Sequence, residues 1–242
     1  MTANVALVTG GSTGIGAEIC RQMLEAGYEV VSLARRKPSL KHAKLHPIEV
    51  DLLDAAATAQ AATDVASRFA ITHFIHNAGA IRPALLPEVK ASDLDALTQL
   101  HLGAAITLAQ ATLPAMKQNK FGRIVLMSSR GALGLATRTA YAATKSGMIG
   151  MARTWALELA ADGITVNVVA PGPIADTEMF NAVVPKDSER EAALAAQIPV
   201  RRLGRPDDVA RAVMFFCDRN TGFVTGQTLY VCGGASLGSI VI

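Results

Sequence analysis

Seven short apolar runs, rich in β-branched residues, punctuate the chain: "VALVT" (5–9), "EVVSLA" (29–34), "HPIEV" (46–50), "HFIHN" (73–77), "RIVLMSS" (123–129), "ITVNVVAP" (164–171) and "QTLYVCGG" (227–234). Ala- and Leu-rich stretches of helical period lie between them, at 14–27, 97–117, 140–163 and 206–218. Near-continuous apolar strands alternating with helices point to a parallel sheet covered on both faces. Gly27 and Gly163 fall where a helix ends in a C′ glycine. Pro206, followed by Asp207 and Asp208, reads as a helix start. Half of the 242 residues are hydrophobic and 18% are charged, so a large buried core is feasible. No internal repeat, low-complexity tract or linker interrupts the pattern. The chain therefore reads as one doubly wound α/β domain over 1–242, with 176–200 its least regular segment.

Charge and cysteine usage narrow the function classes. The net charge is +3, and the densest basic groups are "RRK" (35–37) and "RRLGR" (201–205). Neither has interleaved aromatics, so no nucleic-acid footprint is expected. Cys20, Cys217 and Cys232 are far apart, odd in number and free of any C-x-x-C pair. That argues against a disulfide framework or a metal site, and for a reducing compartment. The N-terminal "MTANVALVTGG" lacks the basic and apolar regions of a signal peptide. No apolar run reaches the roughly 18 residues that a membrane span needs. A cytoplasmic setting is expected.

Three stretches carry chemistry. In "TGGSTGIG" (9–16), Gly10, Gly14 and Gly16 fit G-x-x-x-G-x-G. The spacing differs from G-x-G-x-x-G, but the physical needs are shared: a sharp turn, close approach of backbone to a pyrophosphate, and a helix whose N–H groups face phosphates. A purely structural turn is the competing reading. At the end of the second run, where a carboxylate would hold ribose hydroxyls, stand Ala34, Arg35 and Arg36. Two guanidiniums suit a 2′-phosphate and favour NADPH over NADH, unless they are ordinary solvated loop residues. Finally, "YAATK" (141–145) puts Tyr141 and Lys145 one turn apart on one side of a helix. In a dry site the ammonium would draw the phenol down from its usual ~10, and reaching neutrality takes about 4 kcal/mol. The plainer alternative is an amphipathic helix with a surface lysine and a half-buried tyrosine.

These stretches fall in order with "VDLLD" (50–54), "HNAGA" (76–80), "MSSRG" (127–131), "VAPGPIADTEM" (169–179), "RRLGRPDDVARAVMFF" (201–216) and "FVTGQTLYVCGG" (223–234). Over nearly its whole length the chain resembles the short-chain dehydrogenase/reductase family. The resemblance implies a single-domain Rossmann-type sheet, bound NADP(H) with NAD(H) the lesser alternative, and a site carried over by position. Tyr141 would be the acid/base and Lys145 the residue that lowers its pKa and holds the nicotinamide ribose. Ser129 would bond the substrate carbonyl, with Ser128 in competition because spacing counted back from Tyr141 reaches it. Gly10, Ser12, Thr13, Gly14, Ile15 and Gly16 would cradle the diphosphate, and Arg35 and Arg36 the 2′-phosphate. Asp51 and Leu52 would contact adenine. Asn77, Ala78 and Gly79 would lie along the adenosine ribose. Pro171, Gly172 and Ile174 would form the turn beside the nicotinamide amide. Thr177 would bond that amide, with Asp176 competing in register.

The chain departs from the family pattern twice. His101 stands where the family often has an asparagine that organises a water; it would hold that water, relay protons, or be simply packed. Cys232 stands where an aspartate is common and reads as a small buried hydrophobe. The family likeness, nearest in wording to 3-oxoacyl-(acyl-carrier-protein) reductases, implies a carbonyl reductase acting on a 3-oxoacyl thioester or small ketone. The alternatives are an NAD-dependent alcohol or sugar dehydrogenase and, more distantly, a redox sensor without turnover. Phe180, Leu133 and Leu135 suggest an apolar substrate wall, and Arg130 and Arg138 a basic mouth that would suit an acyl carrier protein. Small residues on the Tyr141 helix imply, again by resemblance, a homotetramer.

Overall fold

The computed structural model describes residues 4–237. Each of the seven apolar runs becomes a strand: β1 (Val5–Thr9), β2 (Glu29–Ala34), β3 (Leu45–Glu49), β4 (His73–His76), β5 (Gly122–Met127), β6 (Ile164–Pro171) and β7 (Thr228–Val231). They form one sheet in the order β3-β2-β1-β4-β5-β6-β7, and every pairing is parallel. Side chains alternate between faces. Leu7, Val31, Phe74, Ile124 and Val166 fill one core; Val8, Val30, Ile75, Val125 and Val169 fill the other. Burying each such side chain contributes about 1.5–3 kcal/mol, which is why runs apolar on both faces can only be interior strands.

Helices α1 (Gly14–Glu25), α2 (Ala55–Arg68), α3 (Ala91–Thr98), α4 (Ala104–Gln118), α5 (Thr139–Leu159), α6 (Glu178–Asn181), α7 (Glu189–Gln197) and α8 (Pro206–Cys217) complete the layers. α1 and α8 cover one face, and α2, α4 and α5 the other. Gly163 is left-handed, and a Cβ there would lie 2.3 Å from Lys120 O, so the α5–β6 turn requires glycine. Pro206 opens α8 as expected.

Three features depart from the sequence reading. α2 was not expected; its buried face is Thr58, Ala61, Ala62 and Val65, small residues of low apolar character, although Asp54 caps it through Ala57 N. The stretch 97–117 is not one helix: a π-turn over Gln99–Gly103 separates α3 from α4. The irregular 176–200 holds α6 and α7, each capped by a hydroxyl, Thr177 and Ser188. Among the described residues no helix is long and apolar enough to cross a membrane.

Sequence order reverses between β1 and β4. In parallel α/β sheets the crevice above the strand ends at such a reversal is where ligands bind.

Candidate active site

The carboxyl ends of the central strands open on a cavity of about 590 Å³. Its floor is the β1–α1 turn. Gly10 and Gly14 are left-handed, with φ of 68° and 55°. A Cβ on Gly16 would lie 2.0 Å from Gly10 O and 2.6 Å from Asn77 Nδ2, so the turn closes only on a bare backbone. Asn77 donates from Nδ2 to Thr9 O (3.1 Å) and Gly10 O (3.3 Å), tying β4 to the turn. Thr9 Oγ1 accepts from the backbone N–H of Asn77 and Ala78 and sits 3.1 Å from His76 Nδ1. Thr13 makes no side-chain cap on α1, so first-turn amides reach the cavity without intrahelical partners. A bare glycine turn and an uncapped helix N-terminus fit the pyrophosphate of a dinucleotide.

The structure gathers the other expected cofactor residues around this floor. Ser12, Thr13, Ile15, Asp51, Leu52, Ala78, Gly79, Pro171, Gly172, Ile174 and Thr177 all line the cavity. Arg35 and Arg36 line it from the end of β2, but Arg36 is already bonded to both carboxylate oxygens of Glu178 at 2.8 and 2.9 Å. Thr177, not Asp176, faces inward: its side chain lies over Gly14, whereas Asp176 turns to Lys186 at 2.9 Å. Gly172 leaves room for Cys232, whose Cα would be 2.8 Å from an added Cβ. Cys232 itself is buried and contacts Ser236 Oγ at 3.1 Å.

β5 ends at Met127 and releases two serines to opposite sides. Ser128 turns inward and donates to Lys145 O at 2.7 Å. Ser129 is extended, accepts from Gly131 N at 2.9 Å, and approaches the Tyr141 phenol closely enough to bias its ionisation. Ser129, Tyr141 and Lys145 all line the cavity. Tyr141 is buried, and that burial pushes its pKa up; the Ser129 hydroxyl and the Arg138 guanidinium work in the opposite direction.

Lys145 has a backbone partner of its own. Lys145 Nζ donates to Met127 O at 2.6 Å and stands 5.8 Å from the Tyr141 ring centre. Burial lowers its own pKa to about 7. The ammonium is thus held by a β5 carbonyl and lies within cation–π range of the Tyr141 ring.

Of the three readings of His101, the geometry fits the packed one. It is fully buried in the π-turn, behind Gly79 and outside the residues that line the cavity. Its Nε2 accepts from Ala80 N at 3.3 Å, which leaves the proton on Nδ1, 2.8 Å from Thr144 Oγ1. Both ring nitrogens are committed, and burial drives the pKa well down. The geometry is that of a packed, neutral histidine rather than a proton relay. Leu133 is another correction: it is exposed and lies off the cavity wall, which is built by Leu135, Phe180, Val183 and Leu194 instead. Thr9 and His76 were not anticipated; only the apolar character of their strands was readable.

A family profile described as enoyl-(acyl carrier protein) reductase matches residues 10–236. The 3-oxoacyl-(acyl-carrier-protein) reductase FabG of Escherichia coli is 32% identical over 238 residues, covering 95% of this chain and 96% of that protein. A solved structure named as a short-chain dehydrogenase/reductase family protein superposes with a TM-score of 0.85 at 29% identity, over 97% of this chain and 98% of the other. The chain belongs to the short-chain dehydrogenase/reductase family. It is an oxidoreductase of that family, and its relatives differ in substrate. The hydroxy(phenyl)methylsuccinyl-CoA dehydrogenase subunit BbsD of Thauera aromatica is 37% identical over 243 residues, 96% of each chain. The ligand-free aldohexose dehydrogenase of Thermoplasma acidophilum superposes with a TM-score of 0.90 at 26% identity, over 99% of this chain and 96% of that one.

Proposed function

We propose that the chain is an NADPH-dependent carbonyl reductase that acts on a small ketone or a 3-oxoacyl thioester. The observation that carries this reading is a single cavity holding both the bare glycine turn and the Ser129–Tyr141–Lys145 cluster. Gly10, Gly14 and Gly16 would hold the dinucleotide pyrophosphate, Asp51 and Leu52 the adenine, and Arg35 and Arg36 the 2′-phosphate. Asn77, Ala78 and Gly79 would follow the ribose, and Pro171, Gly172, Ile174 and Thr177 the nicotinamide end. Bound there, the cofactor supplies a hydride. Ser129 would hold the substrate carbonyl oxygen, and Tyr141 would give it the proton. The pKa of Tyr141, raised by burial, keeps the phenol protonated and ready to donate at neutral pH. Lys145, lowered to about 7 by burial, would hold ribose hydroxyls and resupply that proton. Leu135 and Phe180 would keep water from the reacting carbon.

NADPH oxidation with acetoacetyl thioester and with small ketones, run beside NADH and beside Tyr141→Phe, tests the reading. Turnover with NADPH that drops at least a hundredfold in the variant is expected. Turnover unchanged in Tyr141→Phe removes the assigned chemistry, and cofactor binding without any turnover favours the redox-sensor alternative. A second reading, an alcohol or sugar dehydrogenase running in reverse, rests on Glu178. That carboxylate occupies Arg36 and would repel a 2′-phosphate. Faster turnover with NADH or NAD than with the phosphorylated forms would select it.

A further inference from the structure

The cavity that holds Tyr141 is also lined by Leu135, Phe180, Val183 and Leu194. Arg138 and Arg190 are among the guanidiniums that line it. Neither has a carboxylate partner among the described residues: Arg138 Nη1 bonds Thr137 O (3.4 Å) and Oγ1 (2.6 Å), and Arg190 Nη1 bonds Val183 O (3.1 Å). The carboxylates lining the same cavity are Asp51, after β3, and Glu178, held by Arg36. A guanidinium has five N–H donors in a fixed fork, so Arg138 keeps most of its donors unfilled.

Its position is defined. Thr137 has a φ of 67°, a left-handed conformation that a β-branched residue seldom adopts. Ala84 N donates to Thr137 O at 3.0 Å and fixes that turn. Arg138 stands at the N-cap of α5, three residues before Tyr141. At that spacing two side chains share a helix face with Cβ atoms about 5–6 Å apart.

We propose that Arg138, with Arg190 as a second cation lining the cavity, forms an anion subsite for a carboxylate carried by the substrate within a few bonds of its reacting carbonyl. The fork geometry suits a carboxylate bidentately. The closeness to Tyr141 selects the substrate's own carboxylate over the phosphate of a pantetheine arm, which lies many bonds from its thioester carbonyl. This inference rests on the reductase reading, and the test separates the two.

The probes are the methyl ketones CH₃CO(CH₂)nCO₂⁻ with n from one to four, each beside its methyl ester. Binding is measured by calorimetry on the protein loaded with NADP⁺, and turnover with NADPH. At one chain length the acid should bind and turn over at least about tenfold better than the ester. The ratio should fall to about one in Arg138→Gln and survive in part in Arg138→Lys, which also serves if the glutamine variant does not fold. Equal binding of acid and ester by the wild type, or a ratio unchanged in Arg138→Gln, overturns the subsite. So does a preference for acetoacetyl-phosphopantetheine over acetoacetyl-pantetheine without any preference for keto acids. Acid binding sensitive to Arg138, without turnover by the wild type, upholds the subsite and removes the reductase reading. Ester turnover lost in Tyr141→Phe, with no acid preference, does the reverse.

Discussion

At the residue scale the site is dominated by desolvation. Lys145 is buried against Met127 O, and its ammonium form is disfavoured strongly enough to bring its pKa from 10.5 to about 7. That drop corresponds to about 5 kcal/mol, against about 1–3 kcal/mol for leaving the Met127 carbonyl unpaired. Lys145→Met should therefore stabilise the cofactor-free chain by roughly 2–4 kcal/mol at pH 6 while abolishing turnover, a trade of stability against function. The sign follows from proton counts. Below about pH 7 the lysine is charged in both folded and unfolded chains, so its burial penalty is complete. Between about 7 and 10.5 only the unfolded chain binds the proton, and wild-type stability rises with pH. The advantage of the methionine variant should fade across that window. Thermal melts of both proteins at pH 6, 8 and 10 check this, and a constant difference would contradict it. The same scale shows what spacing could not. "YAATK" put Tyr141 and Lys145 on one face, but only packing shows Nζ turned to a carbonyl and Ser129 set beside the phenol.

At the scale of elements, the segment around α6 and α7 lines the cavity and is tied to the end of β2. Glu178, the first residue of α6, grips Arg36 from the end of β2. Both side chains are more than half exposed, and such pairs contribute about 0.2–1 kcal/mol. A cofactor 2′-phosphate would compete with Glu178 for the same guanidinium. Glu178→Gln should tighten NADPH binding by up to about fivefold and leave NADH binding unchanged, as fluorescence titration of each would show. Weaker NADPH binding in the variant would mean that Glu178 does not oppose the phosphate. The π-turn is another device of this scale. It shifts the helical ladder between α3 and α4, places His101 inside the core, and leaves Leu100 O to meet His76 Nε2 at 3.1 Å.

At the scale of the molecule, apolar surface is left uncovered in two regions. Ile106 on α4 is 39% exposed and Leu157 on α5 86%; Gly150, about two turns before Leu157 on α5, has a missing Cβ that would enter open space. Near the sheet edge formed by β7, Leu229 and Phe215 are partly exposed and Phe223 fully. We propose that these are the two interfaces of a homotetramer. Light scattering at micromolar concentration should report a tetramer for the wild type and smaller species for Gly150→Glu and for Phe223→Glu. Neither substitution touches the packed core, so each reads the interface alone. A wild-type monomer would refute the assembly.

The sequence alone determined the strand runs, the alternation with helices and hence the parallel doubly wound sheet, because hydrophobic periodicity is a local property that burial on both faces imposes. It also marked the glycine turn and the Tyr141–Lys145 pair, because backbone freedom and helical spacing are written in neighbouring residues. It did not reveal α2, whose buried stripe of Thr58, Ala61, Ala62 and Val65 is small and only weakly apolar, nor the π-turn, whose His101 bonds Thr144 on α5. Four further features were decided by the tertiary structure: Ser129 rather than Ser128 at the phenol, Thr177 rather than Asp176 over Gly14, the burial of His101, and the Arg36–Glu178 latch. Each joins groups far apart in the chain or turns on which way one side chain points. Such choices are fixed by desolvation and hydrogen-bond satisfaction in three dimensions, which residue order does not encode locally.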